Sequence, residues 1–215
     1  MNSNEFATLI KTILDGDQDN ALREVEKLIS QKVSTEEIVT QGIEKAMEQL
    51  DNRCTAEQYN LLELMLAGRA VNAITTVLFP DGRDPEKSKA KVIVATLEGD
   101  VHDLGKNIVK KALMGHNYYV IDCGKDSAIE KIINTARREN AIAICISGLI
   151  TSVIPVVKKL KPLLKDKKLG NICLLAGGAA LKQSSSSELL VDYVGETAFD
   201  AIHYIEKLIK EKHHE

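Results

Sequence analysis

The sequence predicts an α/β protein, with an N-terminal four-helix bundle followed by a doubly wound, parallel five-stranded sheet. Three observations carry this. Over residues 1 to about 79, apolar positions recur at helical spacing between short polar breaks. The stretch Phe79-Pro80-Asp81-Gly82-Arg83-Asp84-Pro85-Glu86-Lys87-Ser88 then interrupts the pattern and holds two of the four prolines. From Lys89 onward, short apolar, β-branched runs alternate with amphipathic segments long enough to be crossover helices.

Taken in order, Phe6, Leu9, Ile10 and Ile13 share one helical face, and Asp15-Gly16-Asp17 ends that helix. Ala21, Val25, Leu28 and Ile29 make a second stripe. Ser34-Thr35-Glu36-Glu37 has the composition of a helix start with early acids. Ile38, Gly42, Ile43, Met47 and Leu50 continue this third helix. A fourth, apolar on several faces, spans about Thr55 to Leu78. Four helices with short connections form a bundle. The Pro/Gly stretch reads as a linker, giving a helical domain with its linker at 1–88 and a second domain at 89–215.

In the second domain, strands are expected at about 91–96, 118–122, 142–147, 172–176 and 192–195. Helices are expected at about 105–115, 126–139, 153–166 and 197–211. Helical crossovers imply parallel strands with helices on both faces. Five such strands fit a flavodoxin-like, Rossmann-like sheet, whose strand order the sequence does not give. Ser184-Ser185-Ser186-Ser187 reads as a flexible surface turn, and His213-His214 as a frayed tail.

Composition excludes several functions. The net charge is −3, so there is no basic surface for nucleic acid. Trp is absent and aromatics are scarce, which argues against a base-stacking platform. No apolar run reaches the length of a membrane span, and the N-terminus has no signal-peptide pattern. The four cysteines form no C-x-x-C pair. Cys123, Cys145 and Cys173 lie in or beside apolar runs, as small buried thiols do, which suits a reduced, cytoplasmic setting.

The chemistry is concentrated in Gly99-Asp100-Val101-His102-Asp103-Leu104-Gly105-Lys106-Asn107, between the first strand and the helix after it. In an open α/β sheet that loop is where ligands bind. A neutral His offers one ring nitrogen to a metal, and its other N–H usually finds a carboxylate, which Asp100 could supply. Gly105 allows a close backbone approach at the helix start. The local alternative is a polar turn with a capping Asp. Gly177-Gly178 ends the fourth strand, where paired glycines mark a tight turn or a place for a ligand against bare backbone. No Gly-Lys-Ser/Thr follows, which disfavours a GTPase or kinase.

Asp100, His102 and Gly105 match the Asp-x-His-x-x-Gly motif of cobalamin-binding domains. Ser147-Gly148-Leu149-Ile150-Thr151 and Ala176-Gly177-Gly178-Ala179 match that family's other two signatures, in order. Over nearly its whole length the chain resembles the corrinoid proteins of cobalamin-dependent methyltransferase systems and the cobalamin-binding module of methionine synthase. The resemblance implies a cobalamin or related corrinoid cofactor with His102 as the lower axial ligand of cobalt. Asp100 would bond the other ring nitrogen, with Asp103 beside the pair. Ser147 would hydrogen-bond the displaced dimethylbenzimidazole ring, Leu149 would pack on the tail, and Thr151 would face the corrin rim. Gly177 and Gly178 would border the buried tail and Gly195 would line it.

The family also has a helix whose apolar side chains cap the corrin. Here Asn60 and Leu62 stand where an aromatic and a proline are usual, so Tyr59, Leu61, Leu64 or Met65 could cover cobalt instead.

The implied function is a methyl carrier between a substrate-specific methyltransferase and a second, methyl-accepting one, cycling between Co(I) and methyl-Co(III). A reductive activase is a further implied partner, whereas nucleic acid and membrane are not. The alternatives are the cobalamin-binding small subunit of a mutase and a cobalamin sensor or storage protein. The methyl donor, whether methanol, a methylamine, a betaine or an aryl ether, is not readable, because specificity belongs to the partner.

Overall fold

The computed structural model describes residues 5–55, 61–79 and 88–212. The chain divides into two compact units, Met1–Pro80 and Asp81–Glu215.

The first unit is helical. It contains α1 (Ala7–Leu14), α2 (Gln18–Ser30), α3 (Thr35–Glu37) running through a π-helical stretch (Ile38–Ile43) into α4 (Glu44–Thr55), and α5 (Leu61–Leu78). Its core is built from the predicted stripes: Leu9 and Ile13, Ala21, Val25 and Leu28, then Ile38, Val39 and Ile43, closed by Ala67, Ala70, Val71 and Ile74. The predicted helix start at Ser34 is a capping box, in which Ser34 Oγ accepts the Glu37 N–H and Glu37 Oε2 accepts the Ser34 N–H.

Two expectations change. The third helix runs past Leu50 to Thr55, and its π turn keeps Ile38, Val39, Gly42 and Ile43 buried without any signal in the apolar spacing. Ile29 is exposed, because Leu28 already occupies the inward position. The described part of the fourth helix begins at Leu61, while residues 56–60, including Tyr59 and Asn60, and the linker residues 80–87 lie outside the described residues. The same holds for His213 and His214.

The second unit alternates β1 (Lys91–Thr96), α6 (Leu104–Gly115), β2 (Tyr119–Asp122), α7 (Ile129–Glu139), β3 (Ala143–Ser147), α8 (Ile154–Asp166), β4 (Cys173–Gly177), α9 (Ser186–Leu189), β5 (Tyr193–Gly195) and α10 (Ala198–Lys212). The five strands are parallel, in the order β2-β1-β3-β4-β5. The pleat sorts each strand into two faces. Ile93, Ala95, Ile144, Ile146, Leu174 and Ala176 join Ile132, Ile133 and Ala136 of α7 and Val157, Leu160 and Leu164 of α8 in one core. The alternate residues Val92, Val94, Cys145 and Leu175 are also buried, on the face where α6 and α10 pack against each other. Burial on both faces is why these strands read as unbroken apolar runs.

The serine run is not the flexible turn expected. Ser185 caps α9 in a second capping box, with its Oγ accepting the Glu188 N–H and its own N–H donating to Glu188 Oε2 at 2.7 Å. A serine beside a glutamate three residues on satisfies the helix start locally, so the run orders itself. The helix expected from residue 126 begins at Ile129, because residues 123–128 are committed to bracing the loop after β1.

Candidate functional site

β1 connects to β2 on one side of the sheet, and β3 connects to β4 on the other. The strand order therefore reverses between β1 and β3, and the crevice beyond their carboxyl ends is the place where this architecture binds ligands. Asp100, His102, Asp103 and Gly105 follow β1, and Ser147, Leu149 and Thr151 end or follow β3. Thr96, Ser147, Gly177 and Gly195 are aligned in register across four neighbouring strands. Signals scattered over a hundred residues of sequence thus share one rim of the sheet.

Asp100 is completely buried, and His102 beside it is not. Asp100 Oδ1 lies 2.7 Å from His102 Nδ1 and also accepts the His102 backbone N–H at 2.9 Å. Its other oxygen accepts the Leu149 N–H at 2.7 Å, which ties the loop after β1 to the loop after β3. Burial pushes the Asp100 carboxyl up, but the bonds from Leu149 and His102 outweigh it and hold the group below the usual carboxylate range. A carboxylate at Nδ1 fixes the tautomer with the proton on that nitrogen, leaving Nε2 as a free donor of its lone pair. The ring is 51% exposed, so Nε2 is accessible.

Asp103 stands at the N-cap of α6, but its side chain makes no cap bond, and its backbone oxygen accepts the Asn107 N–H at 2.8 Å. The capping-Asp alternative is therefore not what the loop does. Gly105 sits so close to β3 that a Cβ there would come within 3.0 Å of Ser147 Oγ. Gly178 has φ +96, and a Cβ on it would meet Gly148 O at 2.6 Å. The turn after β4 is thereby pressed against the start of the loop after β3, and the Gly148 N–H donates to Gly177 O at 3.0 Å. Gly177 in turn would place a Cβ 3.4 Å from Gly195 O. The result is a floor of bare backbone beside the Ser147 hydroxyl. Leu149 and Thr151 are exposed at its rim, with Thr151 opening a short 3-10 turn.

Sequence reasoning missed the support on the other side. Lys106 is 3% exposed, and its ammonium contacts both oxygens of Asp122, at 2.8 and 2.7 Å, and Asn107 Oδ1 at 2.7 Å. Asp122 also accepts the Gly124 N–H at 2.8 Å and Lys110 at 3.2 Å. Burial raises the Asp122 carboxyl, and Lys106 with these further donors more than reverses that, holding it low. Asp126 is the second missed residue, bonded to the backbone on either side of the Asp100 side chain. An acid closing a strand and the turn composition Gly124-Lys125-Asp126-Ser127 were the available signals, and neither says which loop is braced.

Among the described residues, no three His, Cys, Asp or Glu side chains gather as a metal cage. His102 is a single exposed imidazole on the same rim of the sheet as the glycines that end β4 and β5. That donor set suits a metal that arrives with its other ligands in its own macrocycle, and a bulky group that needs bare backbone to lie against. The residues present therefore fit a corrinoid. Among the described residues, on α5, Leu62 and Met65 are 58% and 61% exposed, while the face carrying Ala67, Ala70, Val71 and Ile74 is buried. No helix among the described residues is long and apolar enough to cross a membrane.

Comparison with known proteins finds cobalamin-binding families and corrinoid proteins. A family model described as a B12 binding domain matches residues 90–203, and a second model of the same description matches residues 5–78. A corrinoid protein of Desulfitobacterium hafniense is 30% identical over 94% of this chain and 95% of its own. The dimethylamine corrinoid protein of Methanosarcina barkeri is 32% identical over 94% and 95%, respectively. Among solved structures, the Methanosarcina barkeri monomethylamine corrinoid protein superposes with a TM-score of 0.81 at 23% identity, covering 97% of this chain and 100% of that one, which shows a shared fold.

Proposed function

The chain belongs to the B12-binding-domain family, and on that premise we propose that it is a corrinoid-binding methyl carrier serving partner methyltransferases. The observation that carries the reading is the buried Asp100 carboxylate on His102 Nδ1, which leaves Nε2 of a half-exposed ring at the same sheet rim as Ser147, Gly177 and Gly195. Likeness over nearly the full length of methylamine corrinoid proteins, helical unit included, favours the carrier over a mutase subunit or a sensor.

The bound corrinoid would supply the hard chemistry, a cobalt centre that accepts a methyl group from one donor and yields it to another acceptor. The chain's own part is to hold and tune. His102 Nε2 would hold the cobalt, and Asp100 keeps the proton on Nδ1 and orients the ring. The Leu149 N–H, by anchoring the second Asp100 oxygen, keeps the carboxylate from rotating away. Ser147 would offer a hydroxyl to the nucleotide tail of the cofactor, and Gly105, Gly177, Gly178 and Gly195, which carry no side chains, would border it. Leu149 would pack on that tail and Thr151 would face the corrin rim, both from exposed positions after β3. Asp103, at the start of α6, borders the ligand pair.

The partners are a substrate-specific methyltransferase and a methyl-accepting one, with a reductive activase to restore oxidised cofactor. A cytoplasmic setting is consistent with buried Cys123, Cys145 and Cys173, none of them in a disulfide.

The test is an absorption spectrum of the protein incubated with hydroxocobalamin and desalted, run beside His102→Ala. Retained corrin with a spectrum changed by the substitution supports ligation by His102. Retained corrin with identical spectra removes His102 as the ligand. No retained corrin on a folded sample overturns the reading.

A further inference from the structure

Asp100 determines what His102 can do, so the question becomes what determines Asp100. Its side chain is held by His102 and Leu149, but its backbone lies in a loop that begins at Gly99, where φ is +93. A turn closes over Glu98-Gly99, with the Asp100 N–H donating to Leu97 O at 3.0 Å, but that bond leaves the Gly99 N–H and the Asp100 carbonyl to be held from elsewhere.

Asp126 holds both of these groups. Its Oδ1 accepts the Gly99 N–H at 2.8 Å, and its own backbone N–H donates to Asp100 O at 3.0 Å. One residue thus grips both ends of the Gly99-Asp100 dipeptide. Its neighbours continue the seam. The Ser127 N–H donates to Thr96 O at 3.0 Å, the Glu98 N–H donates to Ser127 O at 3.1 Å, and the Thr96 N–H donates to Gly124 O at 3.0 Å. The seam is anchored in turn, since Asp122 accepts the Gly124 N–H and is locked by the buried Lys106 at the start of α6.

The identity of residue 126 follows from its conformation. Its φ is +50, in the left-handed region that Asp and Asn enter more readily than other side-chain-bearing residues. The position therefore needs a residue that tolerates this backbone and also carries an acceptor oxygen. Nothing in its exposure calls for a carboxylate, because Asp126 lies on the surface and contributes no burial.

We propose that Asp126 is a positioning residue for His102: by fixing both ends of the Gly99-Asp100 dipeptide, it sets the direction of the Asp100 carboxylate and hence the tautomer and orientation of the His102 ring. The inference rests on the reading of His102 as the axial ligand, but its first readout does not need the cofactor.

Asp126→Gly keeps the left-handed backbone and removes only the acceptor, and Asp126→Asn keeps both. In the protein without cofactor, the ring nitrogens of His102 and the exchange rate of the Gly99 amide are followed by NMR at one fixed pH. D126G is expected to shift the His102 ring toward a mixture of tautomers and to speed Gly99 exchange by at least about tenfold. D126N is expected to restore both. With hydroxocobalamin added, D126G should bind about tenfold more weakly and D126N close to the natural protein, the range seen when partners of a ligating His are lost. Natural-like His102 nitrogens in D126G overturn the proposal, as does a disturbed ring in D126N. If the natural protein binds no corrin but the NMR changes occur, the functional reading fails and the positioning role of Asp126 stands.

Discussion

The buried carboxylate of Asp100 meets the exposed ring of His102 at 2.7 Å while its second oxygen holds the Leu149 N–H at the same distance. One side chain therefore links the two loops that flank the point where the strand order reverses. A change at Asp100 must act on both loops at once.

Asp100→Asn tests that link. An amide has only one acceptor oxygen, so either the His102 pair or the Leu149 N–H faces an NH2 donor instead. The expected result is a loss of about 1–3 kcal/mol in stability, since a buried donor is left unsatisfied. Hydroxocobalamin affinity should fall by about 10–100-fold. Urea titration and spectroscopic binding measure the two separately. An unchanged affinity would show that the carboxylate does not tune the ring.

Two glycine substitutions should separate stability from binding. In Gly178→Ala the new methyl meets Gly148 O at 2.6 Å with φ at +96, so neither backbone nor neighbour can give way cheaply. Destabilisation of about 2 kcal/mol or more is expected. In Gly105→Ala the methyl meets only Ser147 Oγ, at 3.0 Å, in the first turn of α6. The hydroxyl can rotate and alanine favours helix, so stability should change by less than about 1 kcal/mol. Corrin retention should nevertheless drop, because the methyl crowds the Ser147 hydroxyl that the proposed tail would use. Thermal melts and desalting assays on both variants check the contrast.

Acid should find the Lys106–Asp122 pair. The Asp122 carboxyl is held below its ordinary value of 3.8, so its contribution is full above that pH and is lost as pH falls through the lower folded value. The natural protein should therefore lose stability relative to Asp122→Asn as pH drops from about 5 to about 2. At neutral pH, Asp122→Asn itself should cost about 2 kcal/mol, the scale of a hydrogen-bonded charged group. Denaturant midpoints of both proteins across that range give the difference curve, and parallel curves would remove the pair from the acid response.

Tyr118 provides a test away from the site. Its ring is fully buried, its hydroxyl has no hydrogen-bond partner among the described residues, and burial pushes the phenol up to about 12. The unpaired hydroxyl costs free energy in the folded state. Tyr118→Phe should be neutral or stabilising by about 1 kcal/mol, read as a raised melting temperature. A clear destabilisation would show that the hydroxyl has a partner, such as an ordered water.

The element types were legible because each has a local cause. Continuous apolar runs such as Val92-Ile93-Val94-Ala95 come from strands covered on both faces, and the structure places a helical layer on each. The Ser34 helix start was equally local, since its donors are met by Glu37 three residues on. The serine run was misread because composition was weighed above the Ser185–Glu188 spacing, which carried the same capping signal. The site residues were legible as three motifs, each a strand end or the turn after it.

The sequence by itself determined the alternation of elements, the helical unit before the sheet, and which residue types could serve a cofactor. It did so through periodicity, capping and motif, all of which act over a few residues. The tertiary structure decided the strand order β2-β1-β3-β4-β5 and with it the register that aligns Ser147, Gly177 and Gly195. It also decided that Lys106 would be buried on Asp122 and that Asp126 would brace Asp100. Those partners lie 16 to 27 residues apart or more and meet only when the sheet closes. A side chain's local pattern shows that it needs a partner, but only packing selects which one.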